Sequence, residues 1–167
     1  MKNPLRLLIA LLINIQVSQV NAMGFLDFMR IYIFSEVDGV VLLAGKPVSG
    51  TTVIRTADYK DKLYSDTVIT DDQGRFHFDD IYIYSMRLFG TNILQKIVIQ
   101  YEGKEYLAWK MMKGHDNRYG ELTDPEKPDA PVKKLNLRCE LTSDQDSEQL
   151  IEFILGNRII YGLSRWD

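Results

Sequence analysis

The chain has 167 residues, 46% hydrophobic and 26% charged, which excludes a disordered chain and suits one domain with its own core. A formal net charge of −3 and a pI near 5.4 argue against phosphate-backbone binding as the main task, which needs a basic surface. Two histidines and one cysteine exclude a disulfide framework and most zinc sites.

Residues 1–22 read as a secretory signal peptide. Lys2 and Arg6 form a basic start, Leu7 to Ile13 an apolar centre, and Val20-Asn21-Ala22 a small-residue cleavage pattern. The apolar run is shorter than the roughly 20 residues that cross a bilayer. Removal of Lys2 and Arg6 with this segment takes the net charge from −3 to −5. The reading places the protein in the periplasm or outside the cell. Residues 23–30 form an apolar lead-in, expected as a short helix capping an open sandwich end. Residues 31–167 are expected to be a single β-sandwich domain.

Short runs of period-2 alternation, separated by turn chemistry, dominate the remainder. Ile31 to Phe34 is the first strand. Val40 to Leu43 is apolar on both faces, which suits a central strand. Gly45-Lys46-Pro47 and Ser49-Gly50 are turn signals. Thr51 to Thr56 is rich in β-branched residues. Tyr59 to Asp66 is charged and irregular and reads as a loop, and Thr67 to Thr70 as another strand. Asp71-Asp72-Gln73-Gly74 reads as a hairpin turn with glycine at a positive φ.

Arg75 to Phe78 puts Phe76 and Phe78 inward and His77 outward. Ile81 to Tyr84 alternates again, and Met86 to Asn92 reads as a crossing between sheets. Lys96 to Tyr101 and Glu105 to Lys113 form a hairpin, with Leu107, Trp109 and Met111 on one face. Gly114 to Pro131 is a long polar loop. In Leu135 to Leu141 the alternation buries Leu135, Leu137, Cys139 and Leu141, so Cys139 reads as an inert thiol. Residues 150–163 read as a hairpin turning at Gly156-Asn157, with a capped helix from Asp146 as the alternative. The expected class is an all-β, antiparallel β-sandwich.

Glu36 to Val53, with its Gly45-Lys46-Pro47-Val48-Ser49-Gly50 turn, precedes Thr70-Asp71-Asp72-Gln73-Gly74-Arg75-Phe76. This stretch resembles carboxypeptidase regulatory-like and transthyretin-like β-sandwich modules. The region after the signal is also similar to a bacterial family built on that sandwich, through Phe34-Ser35-Glu36-Val37, Gly103 to Trp109 and Cys139-Glu140-Leu141. The resemblance implies a fold and assigns no activity. The usual alanine of the turn is Thr51 here.

The chemistry-bearing residues do not assemble an enzyme. His77 and His115 have no serine on a sharp turn beside them. Asp71 and Asp72 serve a turn rather than a calcium loop, which needs six to eight oxygens. No glycine-rich phosphate loop precedes a helix. No catalytic residue, metal or cofactor is assigned. Binding is the expected activity, with two candidate surfaces. One is the loop bearing His115, Asp116, Asn117, Arg118, Tyr119 and Glu121. The other is the strand face bearing Tyr82 and Tyr84. The expectation is an exported binding protein, monomeric, that engages a protein or glycan partner in the envelope. The alternative is a periplasmic immunity-type antagonist that blocks a toxin or envelope enzyme.

Overall fold

The computed structural model describes residues 29–85, 92–114, 121, 132, 134–142, 160–161 and 164–165. The expected signal peptide, most of the lead-in, the 86–91 crossing, His115 to Tyr119 and most of the 150–163 segment lie outside them. The described chain is all-β. Its strands are β1 (Arg30–Phe34), β2 (Val37–Leu43), β3 (Lys46–Pro47), β4 (Thr52–Tyr59), β5 (Lys62–Ile69) and β6 (Arg75–Phe78). They continue as β7 (Ile81–Tyr84), β8 (Ile93–Tyr101), β9 (Lys104–Lys113), β10 (Leu135–Glu140), β11 (Ile160–Tyr161) and β12 (Ser164–Arg165). One five-stranded sheet runs β12-β10-β2-β3, with β6 also paired to β2. The second runs β11-β9-β8-β4-β5, and β1 with β7 forms a two-stranded ribbon. Among the described residues, no helix is long and apolar enough to cross a membrane.

Alternation builds one shared core. Val37 and Val41 of β2, Val53 and Ala57 of β4, Ile97 and Ile99 of β8, and Leu135, Leu137 and Cys139 of β10 all join it. Cys139, the one cysteine of the sequence, is fully buried. The ribbon contributes Ile31, Ile33 and Phe34. Its ladder ends at Phe34↔Ile81 and resumes between β2 and β6 at Val37↔Phe78. Residues 30–40 and 75–84 therefore form nearly one continuous antiparallel ladder, interrupted around Ser35 and Glu36.

Three expectations are corrected, and the expected all-β, antiparallel sandwich holds with one refinement. Residues 62–66 belong to strand β5, paired with β4 from Tyr59↔Lys62 to Thr52↔Ile69. This strand lies at a sheet edge and is largely exposed, so its polar residues need not alternate with apolar ones. The reversal before it uses Lys60 and Asp61, both at positive φ (52° and 59°), the geometry of a tight hairpin turn without glycine. The 71–74 turn is real but joins strands of different sheets, because β5 pairs with β4 and β6 with β2. Leu107 does not share a face with Trp109 and Met111. A bulge shifts the register between Ile97↔Trp109 and Val98↔Leu107, leaving Ala108 as the extra residue. Finally, β10 runs parallel to β2, so the sandwich is not wholly antiparallel.

Candidate functional site

The β1–β7 ribbon presents an aromatic face. Register sets Arg30 opposite Tyr84 and Tyr32 opposite Tyr82, while Ile31 and Ile33 point into the core. Tyr82 is 43% and Tyr84 48% exposed, among the few large apolar side chains left open to solvent. The Tyr82 ring lies 6.1 Å from Tyr32, tilted by 57°, and 5.8 Å from Tyr84, edge-on at 82°. The Arg30 guanidinium sits 4.9 Å from the Tyr82 centroid and 6.0 Å from that of Tyr84. Hydrogen bonding to Tyr84 and Tyr32 further favours its charged form. Mutual ring packing and the cation above it hold these side chains in place, which lowers the entropy cost of binding through them. Arg30 and Tyr32 complete a surface of which the sequence reading had marked only Tyr82 and Tyr84. Their signal was the same Arg-Ile-Tyr-Ile alternation that buries Ile31 and Ile33.

Glu121 is not part of an exposed loop surface. It is fully buried. Its carboxylate accepts hydrogen bonds from the Ser35 amide (3.0 Å) and Gln95 Nε2 (2.5 Å), and lies 3.5 Å from Lys113 Nζ. Lys113 also donates to the Tyr32 carbonyl (2.6 Å), and Gln95 to that of Ile33 (2.7 Å). Burial alone would raise the Glu121 pKa. The Lys113 charge and the two hydrogen bonds outweigh it and hold the carboxyl below its ordinary value. This network ties β1 to β8 and β9. It is a structural brace, and it withdraws Glu121 from any partner.

His77 faces out, opposite Asp38 on β2. Its Nδ1 lies 2.6 Å from Asp38 Oδ1, and its Nε2 3.3 Å from Asp79 Oδ1. These carboxylates raise the histidine pKa, Asp38 foremost. Lys134 reaches Glu36 at 2.5 Å and Asp38 at 2.8 Å. Glu36, Asp38 and His77 offer ligand atoms within 4.8 Å of one another, but the Lys134 ammonium already lies against both carboxylates. Among the described residues, the side-chain hydrogen-bond partners of His77 are the Asp38 and Asp79 carboxylates. Asp71 is likewise engaged in its turn. Its Oδ1 accepts from the Gln73 and Arg75 amides, both at 2.8 Å.

The chain belongs to the family described as domain of unknown function DUF6795, which matches residues 37–144. The match spans β2 to β10 and includes Tyr82, Tyr84, Gln95, Lys113 and Glu121, while β1 with Arg30, Tyr32 and the backbone partners of the brace precedes it. Among curated proteins no sequence matches the chain.

Proposed function

We propose that the protein is an exported, non-catalytic binding module whose Tyr82–Tyr84–Arg30 face engages a protein or glycan partner in the cell envelope. The observation that carries this reading is the packed aromatic face, nearly half exposed and held by cross-strand neighbours. Tyrosine and arginine are the side chains most often found as interface anchors, and tyrosine rings also stack on sugars. Export is supported by the order of basic start, apolar run and Val20-Asn21-Ala22. A transthyretin-like or carboxypeptidase regulatory-like affiliation is supported by the Gly39 strand, the Gly45 to Gly50 turn and the Thr70 to Phe76 segment.

The test is capture of partners from an envelope fraction by the wild type and by a Tyr82→Ser/Tyr84→Ser variant with an unchanged melting temperature. The variant is expected to lose at least about tenfold in affinity for the captured partner. Full retention overturns the assignment of this face. Capture of a toxin or envelope enzyme that the protein inhibits would move the reading to the antagonist class.

A further inference from the structure

A second surface lies on the outer side of the β6–β2–β10 sheet, apart from the tyrosine face. A groove of about 760 Å³ runs there, bordered on one side by Val68 and Ile69 of β5. Register places Val40 opposite Arg75 of β6 and opposite Arg138 of β10. Two arginines thus flank one valine in a row across three strands, their Cα atoms about 10 Å apart at ordinary strand spacing. Ile69 is 68% exposed beside them.

The charges around this row are unequally engaged. Asp38 is held by Lys134 and His77, and Asp71 by its turn amides. Among the described residues, neither Arg75 nor Arg138 is ion-paired with a carboxylate. Among the described residues, a net-acidic chain therefore presents two guanidiniums without acid partners, separated by the apolar Val40. Guanidinium forks match carboxylates in a bidentate geometry.

We propose that this groove binds an extended acidic peptide segment of a partner protein, with two carboxylates flanking an apolar side chain. In an extended acid-x-apolar-x-acid segment, the two acids and the central apolar residue share one face. The acids are then about 13 Å apart, a span that long arginine side chains on β6 and β10, the strands either side of β2, can meet. Arg75 and Arg138 take the carboxylates, and Val40 and Ile69 meet the apolar residue.

The probe is the heptapeptide acetyl-Gly-Glu-Val-Ile-Val-Glu-Gly-amide, titrated calorimetrically into the purified protein, beside its Gln-for-Glu counterpart. The glutamate peptide is expected to bind and to weaken as salt rises, and the glutamine peptide to bind at least tenfold more weakly. Arg75→Gln/Arg138→Gln should weaken binding at least tenfold at an unchanged melting temperature. Arg75→Lys/Arg138→Lys keeps the charge and should retain part of the affinity, which controls for misfolding. Tyr82→Ser/Tyr84→Ser should bind the peptide as the wild type does, separating this site from the aromatic face. No binding by the wild type, or equal binding by the double glutamine variant, overturns the proposal. So does preference for an anionic oligosaccharide such as a uronate trimer.

Discussion

Arg55, Gln95 and Lys113 all occupy core-facing positions. Arg55 is 2% exposed. Its guanidinium pairs with Asp66, donates to the Asp79 carbonyl at 2.5 Å, and lies 4.7 Å from the Phe78 centroid and 5.3 Å from that of Phe34. The alternation runs through Val53, Arg55, Ala57 and Tyr59 and through Ile93, Gln95, Ile97 and Ile99, but the sequence reading ended one strand at Thr56 and began the next at Lys96, so it marked neither inward polar residue. The partners were not legible, because they come from distant segments. Glu121, which faces Lys113 and Gln95, stands in a polar stretch that resembles any solvated loop. Burial of an ion pair makes removal of one member costly, because the other stays buried without its counter-charge. Glu121→Gln is therefore expected to destabilise the fold by about 3–5 kcal/mol in chemical denaturation. A second substitution, Lys113→Met, should recover much of the loss. An unchanged midpoint for Glu121→Gln would show that the carboxylate is not the brace described here.

The β2–β6 pair shows how an element fixes what its residues can be. Gly39 stands opposite Phe76, whose ring covers the glycine. A Cβ added at Gly39 would lie 2.1 Å from Phe76 Cζ, far inside van der Waals contact. Phe76 cannot swing away freely, since it packs edge-on against Phe78 with centroids 5.9 Å apart. Gly39→Ala is thus expected to cost about 1–3 kcal/mol through forced repacking. Phe76→Leu in the same chain should relieve part of it. Urea unfolding checks both, and an undisturbed Gly39→Ala midpoint would contradict the packing. One register step away, the same ladder sets Asp38 against His77 on the outer face, so the core contact and the polar cluster are alternate rungs of one pairing. The inward Phe76 and Phe78 were readable from alternation. The pairing of β6 with β2 was not, because an Asp-Asp-Gln-Gly turn before a strand looks the same whether it closes a hairpin or crosses between sheets.

Across the whole molecule, pH acts on opposing groups. The pKa of His77 is raised by Asp38 and Asp79, so its stabilising contribution is complete below about pH 6.5, its unfolded value, and fades as pH climbs through the folded value. Asp38 and Glu121 are lowered, so theirs is present above about pH 4–4.5 and fades as pH falls through their folded values. Stability is expected to peak in mild acid, about pH 5–6. His77→Gln should flatten the decline on the neutral side and leave the acid limb in place. Melting temperatures between about pH 4 and 9 test this. A neutral limb equally steep in His77→Gln would assign it to another group.

Local alternation by itself determined the all-β class, the inward placement of Phe76, Phe78 and Cys139, and the glycine turn at 71–74. Each depends on neighbours two residues apart or on one backbone conformation, which are local in the chain. Tertiary structure decided the parallel pairing of β10 with β2, the bulge at Ala108 that turns Leu107 away from Trp109, and the extension of β5 into a charged segment. It also decided that Glu121 is a buried brace and that Arg75 and Arg138 flank Val40. Those outcomes depend on which distant strands meet and in what register. A one-residue shift in pairing exchanges the two faces of a strand, so no reading of a segment in isolation contains them.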